Sequence, residues 1–297
     1  MTTLSFADWM ARVQRDTENA LSARLPAASL VPERLHDAMR YTTLGGGKRV
    51  RPLLTHAAGE LAGASASAIE AAACAVECIH VYSLVHDDMP CMDDDVLRRG
   101  KPTVHVEYDE ATALLAGDAL QTLAFELITA PGAFADPARQ LRATALLARA
   151  SGSRGMAGGQ AIDLASVGKA LTRPELEFMH IHKTGALIRA AVQLGALAGD
   201  LDDAQIESLD RYAKNIGLLF QVVDDILDTV ADTATLGKTA GKDAANNKPT
   251  YVSIMGLSEA RELARGLAAD AHEALAGFGD KALRLRELAD YIVNRPF

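Results

Sequence analysis

Two segments of the chain carry closely spaced aspartates, whose carboxylate oxygens are ligands that divalent cations prefer. The carboxylates of the first segment fall within nine residues and are Asp87, Asp88, Asp93, Asp94 and Asp95. Pro90 should end the preceding helix, so Asp87 and Asp88 lie where the helix dipole disfavours anions, by about 0.3 to 1 kcal/mol each. We therefore expect a compensating cation. The basic residues that follow at once are Arg98, Arg99 and Lys101.

The second segment, Gln221-Val222-Val223-Asp224-Asp225-Ile226-Leu227-Asp228, ends an apolar stretch. Gln221, Asp224 and Asp228 are spaced i, i+3 and i+7, which places them on one face of a helix. Such ligands favour Mg²⁺, which keeps waters and completes its shell with substrate phosphates. A solvated acidic helix end is the alternative for either cluster alone. A calcium EF-hand is excluded, because its sixth position, counted from Asp93, is Arg98 rather than glycine.

A third candidate is the glycine-rich, basic stretch 45–52, GGGKRVRP. It places flexible backbone and three cations at the start of a predicted helix, which favours phosphate binding. No Ser or Thr follows Lys48, so this is not a Walker loop, and a helix stop would explain the glycines equally well. His80 lies seven residues before Asp87 and is a further candidate, with a buried core histidine as the alternative.

Polar residues within apolar helices mark further candidates, because burying them without partners costs free energy. These residues are Gln160, Asp163 and Thr184. We expect them to face a cavity, with packing detail as the alternative. Lys238 and Lys248 lie in the stretch 232–250, which is rich in Gly, Asp, Lys and Asn and long enough to act as a mobile lid.

Helices should position all of these motifs. Only 5% of the 297 residues are aromatic, Ala and Leu abound, and β-branched runs bounded by turn signals are scarce. Apolar spacing and the Pro and Gly positions predict helices over 4–24, 32–44, 51–61, 66–88, 109–129, 137–165, 173–199, 203–230, 249–275 and 280–294. The expected fold class is all-α, with residues 1–297 forming a single-domain helical bundle.

Charge and composition limit the partners. A net charge of −9 argues against a broad nucleic-acid or anionic membrane surface, so any anion site is local. The N-terminus lacks the pattern of a secretory signal, and no apolar stretch is expected to reach the roughly 20 residues of a membrane span. Cys74, Cys78 and Cys91 form no CxxC pair, which favours reduced thiols over zinc binding. Reduced thiols in turn favour a cytoplasmic location.

The order of the motifs resembles that of a known family. GGGKRVRP is followed by HDDMPCMDDDVLRRGKPT, GMAGGQAIDL, HKTG, QVVDDILD and LGKTAGKDAANNKPTY. This series resembles the trans-isoprenyl diphosphate synthases, or polyprenyl synthetases, and most of all the bacterial farnesyl diphosphate synthases. The likeness covers nearly the whole chain. DDxxxxD with RRGKPT and a distant DDxxD is a specific combination.

The resemblance implies an isoprenoid synthase fold, with helices around a deep central cavity, usually as a homodimer. It also implies an Mg²⁺-dependent prenyltransferase that joins isopentenyl diphosphate to dimethylallyl or geranyl diphosphate. The carboxylates matched to a cluster of three magnesium ions are Asp87, Asp88, Asp93, Asp224 and Asp228. The residues matched to the allylic substrate are Arg98, Lys183, Gln221 and Lys238, with Thr184 beside the reacting carbon. Those matched to isopentenyl diphosphate are Lys48, Arg51, His80 and Arg99, and Lys248 completes the basic lid.

Product length is expected to depend on the helix that ends at Asp87. One helical turn rises about 5.4 Å, close to the length that one isoprene unit adds. In the family, bulk five positions before the first aspartate shortens the product. Tyr82, beside Ser83, is therefore predicted to form a floor that favours a C15 product over C20, and a plain core aromatic is the alternative.

Four other functions are alternatives to farnesyl diphosphate synthesis. A geranylgeranyl (C20) diphosphate synthase is the alternative within the family. A class I terpene cyclase would share the first aspartate motif but has no use for a second diphosphate pocket at Lys48, Arg51 and Arg99. A metal phosphohydrolase would need further metal histidines at helical spacing, which are not evident. A non-enzymatic regulatory subunit would lack motif aspartates, and none is missing.

Overall fold

A computed structural model describes residues 4–230 and 249–294 of the chain. The first eight helices are α1 (Phe6–Arg24), α2 (Glu33–Thr43), α3 (Val50–Leu61), α4 (Ala66–Asp87), α5 (Val104–Glu107), α6 (Glu110–Thr129), α7 (Pro137–Ser151) and α8 (Met156–Ser166). The others are α9 (Arg173–His180), α10 (Ala186–Ala198), α11 (Asp203–Val230), α12 (Tyr251–Met255), α13 (Leu257–Ala274) and α14 (Leu283–Asn294). A π-helical turn, Ile181–Gly185, joins α9 to α10, and a 3₁₀ segment, Ala276–Ala282, precedes α14. The all-α prediction is confirmed.

Helix α4 forms the centre of the core, because it is apolar on all sides and can be buried on all sides. Helices α3, α6 and α10 pack against it, α10 also contacts α7 and α11, and α11 packs on α13. The N-caps that begin several helices match the local sequence: Ser5, Ser65, Asp109 and Asp136 each accept a hydrogen bond from a first-turn backbone amide. This packing places the C-terminal end of α4, with its aspartates, between α8 and α11.

The expectation that no apolar stretch reaches the length of a membrane span was wrong. By length and composition alone, α4 and α6 are long and apolar enough to cross a membrane. In the structure the two helices pack against each other, and 78% of the apolar window of α4 is buried inside the protein. Their apolar character is therefore used to build the core of the fold.

Three of the predicted helices are interrupted. The segment predicted over 137–165 is two helices, because the chain turns between Gly152 and Gly155. The one predicted over 249–275 breaks at Gly256, whose φ of 85° is left-handed. The one predicted over 173–199 contains the π-helical turn. A π turn inserts one residue into a helix and is often found at functional sites.

A short hairpin follows the first aspartate motif, between the helices predicted over 66–88 and 109–129. Strands β1 (Leu97–Arg98) and β2 (Lys101–Pro102) pair antiparallel. Both residues of the connecting turn, Arg99 and Gly100, have positive φ angles, of 54° and 75°. Such two-residue turns match the twist of the strands they join. The hairpin brings Arg98 and Arg99 back towards the end of α4.

Candidate active site

A cavity of about 430 Å³ opens between α4, α8, the π-helical turn and α11, and we call it the central cavity. The residues of the predicted site that line it are Arg51, His80, Tyr82, Ser83, Asp87, Lys183, Thr184 and Asp224. Its apolar wall includes Met156, Ala157, Ala161, Leu164 and Phe220. Asp87 comes from the first aspartate motif and Asp224 from the second, so the fold brings both motifs to one apolar cavity.

A polar network connects α8 to the end of α4. The Gln160 amide donates a hydrogen bond to Asp87 Oδ1. Lys183 Nζ lies 2.6 Å from Asp163 Oδ2 and 4.0 Å from Asp87 Oδ2. The ammonium of Lys183 is therefore held between two carboxylates at the side of the cavity. The expectation that Gln160 faces a cavity is confirmed, and Asp163 is identified as the buried partner of Lys183.

The π-helical turn presents Lys183 and Thr184 to the cavity. Thr184 Oγ1 donates to Gln221 Oε1 at 3.2 Å, and Gln221 Nε2 donates to Asp225 Oδ1 at 2.9 Å. Asp225 is buried and also accepts from the backbone amide of Tyr251 at 2.8 Å. This chain of hydrogen bonds fixes the Gln221 amide and the Thr184 hydroxyl, so the hydroxyl is preorganised at the cavity and the amide beside it.

A second cavity of about 470 Å³ adjoins the first, and we call it the basic pocket. Its cationic lining residues are Lys48, Arg49, Arg51 and Arg99. Arg51, His80 and Phe220 line both cavities, so the two are neighbours. Burial lowers the pKa of Arg51 to about 10, and burial together with Arg51 and Arg99 lowers that of His80 well below its usual value. His80 is therefore neutral near pH 7.

The glycine-rich stretch forms one edge of the basic pocket. Arg99 Nη1 donates to the Gly46 carbonyl at 2.8 Å, and Gly45 N donates to Glu18 Oε1 at 2.6 Å. Gly47 has a φ of 127°, which residues with a side chain rarely adopt, and a Cβ atom there would lie 2.6 Å from Arg99 Nη1, so another residue would strain the backbone and displace the Arg99 guanidinium. These contacts explain why flexible glycines precede Lys48.

The basic pocket also contains a buried ion pair that the sequence did not predict. Arg49 Nη1 donates to Glu77 Oε1 at 2.7 Å, and each side chain is 1% exposed. Arg49 also bonds Glu18 Oε2 at 2.5 Å and the Thr43 carbonyl at 2.6 Å. Burial opposes its charge, but the attraction of Glu77 and Glu18 raises the pKa of Arg49. Among the described residues that line the pocket, Glu77 is the one acidic residue.

Asp88 and Arg98, which the sequence assigned to metal and diphosphate, bind each other. Arg98 Nε donates to Asp88 Oδ1 and Oδ2 at 2.9 and 2.8 Å, and Nη2 donates to Oδ1 at 2.5 Å. Burial raises the pKa of Asp88 despite this pairing. Arg98 is thus the cation expected to compensate the aspartates at the C-terminal end of α4. Neither residue lines the central cavity.

The remaining predicted residues lie elsewhere. Asp93, Asp228 and Gln221 are not among the residues that line the central cavity, although Gln221 lies in a small adjacent pocket with Asp163 and Lys183. Lys238 and Lys248 fall outside the described residues. The structure therefore brings together one aspartate from each motif, and the predicted roles of the others stay predictions.

The carboxylates at the cavity suit a magnesium ion that is shared with a substrate, rather than a metal held by protein side chains alone. Within residues 4–230 and 249–294, no three His, Cys, Asp or Glu side chains are grouped to hold a metal by themselves. Mg²⁺ usually binds through one or two carboxylates and takes its other ligands from water and substrate phosphates. Asp87 and Asp224 are hard carboxylate ligands on one cavity, so they suit an ion that is shared with a diphosphate.

The chain belongs to the polyprenyl synthetase family, whose model matches residues 32–276. It is 48% identical to the chloroplastic geranylgeranyl pyrophosphate synthase 11 of Arabidopsis thaliana over 99% of this chain and 83% of that protein. It is 49% identical to the farnesyl diphosphate synthase of Escherichia coli K12 over 87% of this chain and 88% of that protein. The chain is thus a trans-prenyl diphosphate synthase, a prenyltransferase of isoprenoid biosynthesis.

Solved structures show the same fold. An FPP/GFPP synthase from Zymomonas mobilis, 42% identical, superimposes with a TM-score of 0.88 over 97% of this chain and 98% of that one. A geranyltransferase from Helicobacter pylori, complexed with magnesium and isoprenyl diphosphate, is 32% identical, with a TM-score of 0.85 over 99% of this chain and 98% of that one. The isoprenoid synthase architecture implied by the motifs is confirmed.

Proposed function

We propose that the protein condenses isopentenyl diphosphate with dimethylallyl and then geranyl diphosphate to give farnesyl diphosphate (C15) and diphosphate. The observation that carries the C15 product is the place of Tyr82. Its ring lines the central cavity five residues before Asp87 and is only 7% exposed. It packs edge-on against His86, with the ring centroids 5.7 Å apart, so the ring has little freedom to move.

The side chains of the central cavity would act on the allylic substrate. Ionisation breaks the allylic carbon–oxygen bond, the electron pair leaves with the diphosphate, and a delocalised carbocation remains. Lys183, at the cavity, would stabilise the growing negative charge of the leaving group. The apolar wall would exclude water that would otherwise trap the carbocation. Thr184 and Gln221, held by their hydrogen bonds, would orient the reacting carbon.

The basic pocket would hold isopentenyl diphosphate through Lys48, Arg51 and Arg99, with His80 at its boundary to the central cavity. The isopentenyl double bond then attacks the carbocation. The new carbon–carbon bond forms, and a proton passes to the departed diphosphate. Two adjacent anion sites are what this reaction requires, whereas a terpene cyclase requires only one.

Asp87 and Asp224 are the residues of the described cavity that would hold magnesium, and Asp88, Asp93 and Asp228 are proposed to complete a set for three ions. Bound magnesium would neutralise the charge of the leaving diphosphate. Support comes from the donor set and from the magnesium complex of the Helicobacter pylori geranyltransferase. Lys238 and Lys248 are proposed to add positive charge from the segment outside the described residues.

We also propose that one catalytic domain, residues 1–297, works as a cytoplasmic homodimer. Helix α6 supports the dimer, because its adjacent apolar residues Leu114 and Leu115 are 47% and 54% exposed. A mass of about twice 31.5 kDa in solution would support this assembly.

The reaction is tested by incubating the purified protein with isopentenyl diphosphate, Mg²⁺ and either dimethylallyl or geranyl diphosphate. Mass spectrometry of the dephosphorylated products then gives the chain length. A C15 product supports the proposal. A C20 product would leave the prenyltransferase intact and favour the geranylgeranyl synthase, which relatives such as the Arabidopsis thaliana protein also suggest. Consumption of geranyl diphosphate without elongation would contradict both.

Replacing Tyr82 by alanine is expected to lengthen the product, because it removes a ring from the end of the cavity. We expect the ratio of C20 to C15 to rise by about tenfold or more, since even small changes in an apolar pocket shift specificity by 1 to 3 kcal/mol. The same product analysis measures the ratio. An unchanged C15 product from an active Tyr82→Ala enzyme would show that Tyr82 is only a core aromatic.

A further inference from the structure

The first residue of α8, Met156, forms a second wall of the central cavity. Its side chain lines the cavity and is only 6% exposed, and it belongs to the hydrophobic core. Tyr82 belongs to the same cavity lining and the same core but comes from α4. No sequence pattern indicates that they share a cavity, because the two residues are far apart in the chain and both have core-forming side chains.

The contact between α8 and α4 shows how far Met156 lies from the diphosphate end of the central cavity. Gln160 is bonded to Asp87, so these residues mark the diphosphate end on each helix. Four residues of helix rise about 6 Å, so Met156 lies about that far along α8 from Gln160. Tyr82 lies five residues, about 7.5 Å, before Asp87 on α4. Met156 and Leu164 both line the cavity, on opposite sides of Gln160 along α8, and they are 6% and 39% exposed, so the wall is more deeply buried at the start of α8. Met156 and Tyr82 therefore lie at a similar depth.

The start of α8 cannot shift easily to absorb a change at this position. A Cβ atom on Gly159 would lie 2.0 Å from the backbone nitrogen of Lys183, and one on Gly158 would lie 2.1 Å from the Ser153 carbonyl oxygen. The backbone of this turn is thus packed tightly against the π-helical turn and the preceding loop. A larger or smaller side chain at position 156 must then change the volume of the cavity rather than move the helix.

We propose that Met156 is a specificity-determining residue that limits product length together with Tyr82. The aromatic ring forms the rigid part of the floor, and the flexible thioether side chain forms the part that adapts to the growing chain. This inference rests on the proposed elongation reaction. It adds that the length limit is shared by two helices, so changing either residue moves the limit and changing both moves it further.

The test compares Met156→Ala, Met156→Phe and the double variant Tyr82→Ala/Met156→Ala with the unaltered protein. Each is incubated with isopentenyl diphosphate, geranyl diphosphate and Mg²⁺, and the dephosphorylated products are identified by mass. Met156→Ala should raise the ratio of C20 to C15 by about tenfold, and the double variant should give longer chains than either single variant. With dimethylallyl diphosphate in place of geranyl diphosphate, Met156→Phe should release more C10 product relative to C15 than the unaltered protein.

Met39→Ala is the matched control. Met39 is also a buried methionine, 3% exposed, but it does not line the central cavity. It should lower the unfolding temperature and leave the product ratio unchanged. If Met156→Ala and Met156→Phe both keep the product ratio of the unaltered protein, the inference is overturned. If the unaltered protein does not elongate at all, the proposed function fails instead. Met156→Phe removes no buried volume, so it keeps the test decisive if Met156→Ala unfolds.

Discussion

Replacing Asp224 by asparagine is expected to lower kcat by about a hundredfold or more, and Asp87→Asn should do the same. Each change removes a carboxylate that is proposed to hold the Mg²⁺ that neutralises the leaving diphosphate, and losing one such stabilising group typically costs 10²- to 10³-fold. Asparagine keeps the size of the side chain, so packing should change little. Steady-state rates measured over a range of Mg²⁺ concentrations test the prediction.

The Mg²⁺ series separates a metal role from a general loss of charge. If Asp87 and Asp224 hold the ion, the variants should need a higher Mg²⁺ concentration for half-maximal rate. Asp270→Asn is the control, because Asp270 is an exposed aspartate of α13 that lines neither cavity. It should leave both the rate and the Mg²⁺ requirement unchanged. Turnover near the normal rate in both motif variants would refute the proposed metal site.

The family resemblance implied that Asp87 and Asp224 meet at one cavity, but the partners within each motif could not be predicted. Helix spacing and Pro90 were enough to place carboxylates at the ends of two apolar helices. The dipole argument also called for a cation near Asp88. Which basic residue pairs with Asp88 depends on the hairpin turn at Arg99 and Gly100. The positive φ angles of this turn bring Arg98 back to the end of the helix. No helical or strand periodicity indicates such a turn.

The helix interruptions were missed for a related reason. Periodic apolar spacing over 173–199 predicted one helix, and the residues are helical throughout. The π-helical turn adds one residue without changing the apolar composition, so the pattern hides it. Yet this turn gives Lys183 and Thr184 their direction. The Gly159 contact with Lys183 that permits it joins residues distant in the chain, and only the tertiary packing reveals it.

The partner of a buried charge is likewise not predictable from the sequence. Glu77 is a charged residue buried among the apolar side chains of helix α4, which signals a partner but does not identify it. Arg49 lies in a basic stretch whose other members, Lys48 and Arg51, the sequence assigned to diphosphate. The structure separates Arg49 from this set: it occupies the N-cap position of α3 with left-handed backbone, and its guanidinium points to Glu77 and Glu18. Arg49 therefore supports the basic pocket by binding the carboxylates of Glu77 and Glu18.

Replacing Arg49 by methionine is accordingly expected to lower the free energy of unfolding by about 3 kcal/mol, because it leaves the Glu77 carboxylate buried without its ion-pair partner. Nearby Arg51 offsets part of the loss, so the value falls at the low end of the usual 3 to 5 kcal/mol. Urea unfolding measures the difference. Arg24→Met, which breaks the half-exposed pair with Glu70, is the matched control and should cost less than about 1 kcal/mol.

The double variant Arg49→Met/Glu77→Leu decides whether the pair itself is the cause. Removing both charges replaces the buried ion pair by apolar side chains of similar volume, a change that is often neutral or stabilising. Most of the stability lost in Arg49→Met should therefore return, giving a large coupling energy in the double-mutant cycle. Additive losses would contradict the assignment. Recovered stability with a raised KM for isopentenyl diphosphate alone would show that the pair also shapes the basic pocket, since the central cavity keeps Asp87, Asp224 and Lys183.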